Sequence, residues 1–373
     1  MSPTIRPNVL LMEPYSPGKP ISDVKRELGL EYVIKLASNE NPFGPSPKAL
    51  AAVEQAAKSM HLYPDGAARA LRQAIATKFS IAENQILLGN GSDELIHLLG
   101  LLFLAGPEDE LLMADPGFSR YDASAHLAAS KLVKVPTDAD FRHDLPAMAA
   151  AVTPNTKMIF IANPNNPTGT AVFREEFERF LDAIPGHIPV ILDEAYVEFS
   201  YFANDLPSAI DYVRQGRNVI GLRTFSKAYG LAGIRLGYGF ASAGVVDAYQ
   251  RAREPFNVNS LAQAAGIAAL EDDAHITMTA KNNRAGLLRL SEIFRSVGAR
   301  PVDSYANFAY ADMGMDADPV FHGLLKRGVI VRAGSHVGHP YCLRVTVGTE
   351  EEMDFFEHAL KAVMAEIRAS MAP

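Results

Sequence analysis

The chain has 373 residues, of which 48% are hydrophobic and 21% charged, and its formal net charge is -8. This acidic balance argues against nucleic acid and anionic membranes as principal partners, although a local cluster of arginines can still bind a small anion. Cys342 is the only cysteine, so an internal disulfide is excluded, and without a Cys/His cluster no metal site is predicted. The most apolar run, Leu95 to Ala105, is about half a membrane span. With no segment of signal-peptide type, we expect a cytoplasmic protein.

The first part of the chain predicts an arm followed by an α/β domain. Residues 1–40 are rich in Pro and Gly and form the arm, and Ser46-Pro47 then predicts a capped helix start. Short apolar runs follow, separated by helix-like segments such as Phe173 to Ile184. The runs that predict strands are Gln85–Leu88, Glu110–Met113, Lys157–Ala162, Pro189–Leu192, Asn218–Leu222 and Arg235–Phe240. This alternation predicts a large domain, residues 41–252, whose mostly parallel sheet is sandwiched by helices.

The pattern changes near Pro255, where a second domain is expected to begin. A long helical stretch, Ser260 to Val297, leads to short strand-like runs and then to a closing helix from about Glu350. The strand-like runs are Ala306–Ala311, Val329–Arg332 and Leu343–Val347. Residues 253–373 are therefore predicted to form a smaller α+β domain.

Four polar segments follow predicted strands of the large domain. They are Asn90–Glu94, Asn163–Gly169, Asp193–Tyr196 and Thr224–Lys227. Because ligands of open parallel sheets bind outside the carboxyl ends of the strands, these segments outline one site. The glycines around Asn90, at a helix start, suit a phosphate, but they suit an ordinary turn and cap equally well.

Asp193 and Lys227 are the two strongest candidates for chemistry. Asp193 ends an otherwise apolar strand, where a carboxylate is costly unless it has a partner, and a cationic ring nitrogen would be one. Lys227 stands among small and apolar residues, eight positions before Arg235. Desolvation and a nearby cation would lower its pKa and favour the neutral amine that forms an imine. A structural aspartate and a solvated lysine are the alternatives for these positions taken singly.

Together these motifs resemble the histidinol-phosphate aminotransferase group of fold-type-I enzymes that use pyridoxal 5′-phosphate (PLP). The resemblance runs nearly end to end. It is carried by Pro14–Pro20, Ser38–Pro45, Tyr63–Gly66, Asn163–Gly169, Asp193–Tyr196, Ser226–Gly237 and Leu343–Thr349. It implies the PLP-transferase fold of type I, a transaminase activity and a homodimer with shared active sites.

The resemblance also implies a role for each matching position. Catalysis would fall to Lys227 as the Schiff-base lysine, Asp193 as partner of the ring nitrogen, and Tyr196. Cofactor contacts are implied for Ser92, Asp93, Phe118, Asn166, Asp193, Tyr196, Thr224, Ser226, Lys227 and Arg235, and for Tyr63 across the dimer interface. Substrate contacts are implied for Tyr15, Asn39, Arg332 and Arg344.

Several alternatives remain open from the sequence. Tyr15 suits ordinary packing of the arm, Arg332 a surface strand, and Phe118 plain core filling. A dinucleotide-binding module would explain the glycine-rich turn but would leave Asp193 and Lys227 without a shared purpose. Among PLP enzymes, transfer from L-histidinol phosphate to 2-oxoglutarate in histidine biosynthesis is the leading expectation. An aromatic amino acid aminotransferase and a decarboxylase of a phosphorylated amino acid are its competitors.

Overall fold

A computed structural model of the chain describes residues 4–12, 14 and 18–371. The helices of these residues are α1 (Pro7–Leu10), α2 (Ile21–Leu28), α3 (Pro47–Ala57), α4 (Arg69–Phe79), α5 (Ser92–Phe103), α6 (Ser119–Leu127), α7 (Leu145–Ala150), α8 (Arg174–Ala183), α9 (Ala209–Arg214), α10 (Ala243–Ala252), α11 (Ser260–Leu270), α12 (Asp273–Ser296), α13 (Asp318–Lys326) and α14 (Glu350–Met371). The strands are β1 (Ile34–Lys35), β2 (Ile86–Gly89), β3 (Glu110–Asp115), β4 (Lys131–Pro136), β5 (Thr156–Ala162), β6 (Val190–Asp193), β7 (Val219–Thr224), β8 (Gly237–Phe240), β9 (Arg300–Pro301), β10 (Phe308–Asp312), β11 (Val329–Ile330), β12 (Arg332–Ala333) and β13 (Cys342–Thr346).

Seven strands form the large sheet, in the order β2-β8-β7-β6-β5-β3-β4. Strand β8 runs opposite to the other six strands of this sheet, so the predicted mostly parallel α/β architecture is confirmed. Every residue of β6 and β7 is buried, as expected for central strands covered by helices on both faces. Asp193 and Thr224 are the last residues of these two strands, so both open onto the carboxyl edge of the sheet.

Several elements differ from the sequence prediction, among them α2, β1 and β9, for which no element was predicted. Strand β4 was not predicted, because it is a partly exposed edge strand whose apolar residues are interrupted by Lys131 and Lys134. The helical stretch from Ser260 is two helices, since the chain breaks after Leu270 and Asp272 caps α12 by accepting from the His275 amide. The predicted strand ending at Arg332 is divided into β11 and β12, which belong to different sheets.

The second sheet lies in the C-terminal part and is antiparallel, in the order β12-β13-β10-β9. Its core packs against α12, α13 and α14 and also takes in Ile34 and Leu36 from the N-terminal segment. Strand β1 pairs in parallel with β11, which ties that segment to the C-terminal part. Helix α11 instead packs in one core with residues of α3 and α4. The domain limits at residues 40 and 252 stay a prediction, and these contacts give a reason to test them.

Helix starts follow the capping chemistry expected from the sequence. Ser46 accepts a hydrogen bond from the Ala49 amide at 3.2 Å, and Pro47 occupies the first position of α3. In the described part of the chain, no helix combines the length and apolar character needed to cross a membrane.

Candidate active site

A cavity of about 520 Å³ opens at the carboxyl edge of the large sheet. The large sheet, the N-terminal segment and the C-terminal antiparallel sheet all contribute to its lining. The predicted site residues that line it are Asn39, Ser92, Asp93, Phe118, Asn166, Asp193, Tyr196, Thr224, Ser226, Lys227, Arg235, Arg332 and Arg344. The structure therefore brings together positions that are as much as 305 residues apart in the chain, from Asn39 to Arg344.

Lys227 lies in the turn that follows β7, and its side chain enters the cavity. Its Nζ donates a hydrogen bond to the Ser38 carbonyl at 3.1 Å and lies 5.8 Å from the centre of the Tyr196 ring. Burial, together with the positive charge of Arg344, lowers the pKa of Lys227 to about 8. A substantial neutral fraction of the amine is thus available near neutral pH, as a nucleophile or proton acceptor requires.

Asp193 is 5% exposed and reaches the cavity from the end of β6. Its Oδ2 accepts from the Tyr121 hydroxyl at 2.7 Å, and its Oδ1 accepts from the Ala195 amide at 3.1 Å. Burial nevertheless raises the pKa of Asp193 to about 6, against the lowering effect of these two hydrogen bonds. A carboxylate in such a place suits a cationic partner inside the cavity.

The turn between β2 and α5 forms a cradle for an anion. Gly91 has a φ of +76°, and a Cβ at this position would collide with the Arg235 guanidinium. A Cβ on Gly237 would collide with the Ser92 amide, so both glycines allow the backbone to approach closely. The amides that open α5 have no partners within the helix, and Arg235 lies 3.6 Å from Asp93 beside them. This arrangement fits a phosphate.

On the same side of the cavity, Thr224 and Ser226 border the cradle. The Ser226 amide donates to Thr224 Oγ1 at 3.1 Å, and both residues are almost fully buried. This bond fixes the turn that carries Lys227, the next residue in the chain.

Asn166 and Tyr196 place polar groups between the cradle and the C-terminal sheet. Asn166 Oδ1 accepts from Arg344 Nη1 at 2.6 Å, and the Tyr196 hydroxyl accepts from Asn39 Nδ2 at 3.0 Å. Both polar groups lie on the lining, within reach of a ligand, as expected for contacts to a ring oxygen. Phe118 also lines the cavity, from the residue that precedes α6.

Arg332 and Arg344 lie directly opposite each other on β12 and β13. Cross-strand partners point to the same face of a sheet, and here both line the cavity. Arg344 is held in place by the Ala37 carbonyl, to which Nη2 donates at 2.7 Å, and by the Phe308 ring at 5.1 Å. Like charges directly opposite each other oppose pairing of the strands, so this pair favours an anionic ligand between or above the two guanidinium groups.

Among the predicted site residues that the structure describes, Tyr63 is not on this lining. Tyr63 is 83% exposed and stacks on Phe256, with ring centres 4.8 Å apart. Its predicted role belongs to the site of a second copy, and it stays a prediction. Tyr15 lies outside the described residues.

Sequence reasoning missed several residues of the lining, among them Tyr121 and Arg120. Tyr121, which binds Asp193, is a buried helix residue and carries no signal that separates it from ordinary core tyrosines. Its position three residues after Phe118, close to one helical turn, is the only hint. Arg120, also on the lining, binds His97 Nε2 at 2.6 Å; because a guanidinium can only donate, that ring nitrogen accepts.

The donor set fits PLP at each of its functional groups. The cradle suits the phosphate, Asp193 suits a protonated ring nitrogen, and Lys227 suits the aldehyde. These three groups surround one cavity, whereas a dinucleotide would leave the buried carboxylate and the amine without a purpose.

Comparison with known proteins supports the same reading. The model of the family described as aminotransferase class I and II matches residues 31–360. A histidinol-phosphate aminotransferase of Moorella thermoacetica is 47% identical over 97% of this chain and 94% of its own length. Histidinol-phosphate aminotransferase 2 of Pseudomonas fluorescens is 43% identical over 96% of this chain and 97% of its own length. The crystal structure of histidinol-phosphate aminotransferase from Sinorhizobium meliloti in complex with PLP is 29% identical, covers 97% of this chain and 98% of that one, and gives a TM-score of 0.89.

Proposed function

The chain belongs to the aminotransferase class I and II family, in its histidinol-phosphate aminotransferase group, and we propose that it converts L-histidinol phosphate and 2-oxoglutarate to imidazole acetol phosphate and L-glutamate. The family is PLP-dependent, so the protein is a PLP-dependent transaminase. The named relatives support the choice of amino donor, and the proposed reaction places the enzyme in histidine biosynthesis.

The observation that carries the choice of substrate is the facing pair Arg332 and Arg344. Histidinol phosphate has a phosphomethyl group where an amino acid has its α-carboxylate, whereas glutamate carries that carboxylate. One anchor must therefore accept either anion, and a guanidinium fork suits both in a bidentate way. The second arginine supplies the extra positive charge that a doubly charged phosphate needs. A purely aromatic donor needs only one cation and an apolar wall.

Bound PLP supplies the carbonyl that receives the amino group and a ring that withdraws electrons from the substrate Cα. The chain's own groups do the rest. Lys227 Nζ, with its lowered pKa, would carry the proton from the substrate Cα to the cofactor carbon C4′. Asp193 would pair with the protonated ring nitrogen, and Asn166 and Tyr196 would hold the ring oxygen by hydrogen bonds.

A panel of amino donors with 2-oxoglutarate tests this function. We expect glutamate to form from histidinol phosphate with a higher kcat/KM than from phenylalanine or tyrosine. A clear preference for phenylalanine would make the aromatic activity the better description. Release of carbon dioxide from threonine phosphate, without glutamate formation, would instead identify a decarboxylase.

We also propose a cytoplasmic homodimer in which Tyr63 contacts the cofactor of the second copy. Support comes from the exposed stacked pair of Tyr63 and Phe256, which presents aromatic surface that a second copy would bury. Mixing Tyr63→Phe with Lys227→Ala subunits tests it, because each hybrid dimer would regain one intact site. Absence of recovered activity in hybrids that demonstrably form would count against a shared site.

A further inference from the structure

Tyr121 contacts Asp193 and takes part in the cavity lining, although little of its own surface is exposed. It is 2% exposed, and its hydroxyl donates to Asp193 Oδ2 at 2.7 Å. No sequence motif assigns Tyr121 a role, and an ordinary core tyrosine is the alternative to be tested.

The ring of Tyr121 is fixed on two sides. It stacks on Phe160 of β5 with ring centres 4.1 Å apart and planes inclined by 6°. Its other contact is with Phe118, edge to face at 5.6 Å and 87°. Phe118 is the residue predicted to stack on the cofactor ring, so one tyrosine contacts both the group expected over the ring face and the group expected at the ring nitrogen.

The charges around Asp193 make this hydroxyl important. Asp93 on α5 and Glu194, the next residue in the chain, both oppose ionisation of the carboxyl. The Tyr121 hydroxyl and the Ala195 amide are the two hydrogen-bond donors that favour the carboxylate form.

We propose that Tyr121 is a positioning residue of the transaminase: its hydroxyl keeps Asp193 ionised and aimed at the cofactor ring nitrogen, while its ring sets the plane of Phe118. The proposal rests on the proposed role of Asp193 and is independent of which amino donor the enzyme uses. The property that Tyr121 should affect is the affinity for the cofactor, because a protonated Asp193 cannot form an ion pair with a protonated ring nitrogen.

The test is a titration of the cofactor-free enzyme with pyridoxamine 5′-phosphate across pH 5 to 9. This probe carries the same ring and phosphate but forms no Schiff base, so its Kd does not depend on imine formation by Lys227. The titration of Lys227 near pH 8 is common to the unmodified and variant proteins and is separate from the break near pH 6. In the unmodified protein the Kd should rise as the pH falls below about 6, where Asp193 takes up its proton. In Tyr121→Phe we expect this break at a higher pH and a Kd about 10- to 100-fold larger at pH 7.

Tyr212→Phe is the matched control. Tyr212 is also fully buried and its hydroxyl also faces a carboxylate, that of Glu178 at 3.4 Å, but it does not line the cavity. Its removal should leave both the Kd and the pH of the break unchanged. Since Phe keeps the ring that stacks on Phe160, Tyr121→Phe is expected to fold, and its melting temperature checks this.

A double-mutant cycle with Asp193→Asn separates the possible outcomes. If Tyr121 acts through Asp193, the change to Phe should have no further effect on the Kd in the Asn background. A Kd in Tyr121→Phe that is unchanged, or raised equally at every pH and in both backgrounds, would overturn the proposal and leave a core tyrosine. An Asp193→Asn single variant that binds the probe normally would instead refute the role of Asp193 itself.

Discussion

The two ends of the cavity are built in different ways. The cofactor end, defined here by Asp193 and Lys227, is formed at the carboxyl edge of one buried parallel sheet. The substrate end, defined by Asn39, Arg332 and Arg344, joins the N-terminal segment to the C-terminal antiparallel sheet. The positions of Asp193 and Lys227 at the cofactor end are set by a single sheet. The substrate end, in contrast, forms only when distant parts of the chain come together.

The contacts show what this difference means. At the substrate end, Thr346 donates to Asn39 Oδ1 and accepts from the Asn39 amide, both at 3.0 Å, across 307 positions of sequence. At the cofactor end, Asp193 is buried with its charge incompletely compensated, and its pKa is raised to about 6. A cationic ligand would offset the unfavourable burial of Asp193 at the cofactor end, and the role proposed for the substrate end is to select the anion. Changes at one end should therefore differ in kind from changes at the other.

Lys227→Ala should give the largest effect, at the cofactor end. Turnover is expected to fall by at least about 10⁴-fold, because both the imine-forming amine and the proton carrier are lost. The fold should persist, since no large core volume is removed. Steady-state assays together with circular dichroism check both statements, and normal transamination by this variant would remove Lys227 from the mechanism.

Asp193→Asn, also at the cofactor end, should have opposite effects on stability and on activity. The folded-state pKa of about 6 lies above the ordinary value of 3.8, so the PLP-free protein loses stability as the pH rises through this window. Asn does not titrate, and above pH 6 the PLP-free variant should be more stable by about 1 to 3 kcal/mol. Its kcat should fall about 100- to 1000-fold, because a neutral amide cannot hold the ring nitrogen protonated.

Chemical denaturation of the cofactor-free forms at pH 5 and pH 8 measures the first effect. The gain in the free energy of unfolding should be larger at pH 8 than at pH 5. An equal gain at both values would show that ionisation of Asp193 is not its source.

Arg332→Ala should give a smaller and selective effect, at the substrate end. We expect the loss in kcat/KM to be greater for histidinol phosphate than for phenylalanine by about 1.5 to 3 kcal/mol, the value of a hydrogen bond to a charged group. The affinity for PLP should be unchanged. Arg300→Ala is the matched control, because Arg300 lies on the same sheet but not on the cavity lining. Equal losses on both donors would exclude Arg332 from phosphate recognition.

Much of the cofactor end was predictable because its residues follow strands. An apolar run that ends in Asp193 or Thr224 places that side chain at the sheet edge whatever the rest of the fold does. The resemblance to known aminotransferases then gave these positions their expected roles, including those of Phe118 and Asn166.

What could not be predicted depends on contacts between segments. Strand β4 has no continuous apolar run, and the division between β11 and β12 arises because β11 pairs with β1. From the sequence, Tyr121 cannot be distinguished from an ordinary core residue, and only the structure shows that its hydroxyl donates to Asp193. Arg332 and Arg344 lie opposite each other because of the register of β12 and β13, and the number of residues between them in the sequence does not determine that register.

The central claim is that this cavity binds PLP with Lys227 as its amine. Reduction of the PLP-loaded protein with borohydride, followed by digestion and mass spectrometry, tests it most directly. We expect one pyridoxyl-modified lysine per chain, at Lys227, and loss of the label in Lys227→Ala. A label on another lysine, or none in a protein that has bound PLP, would contradict it.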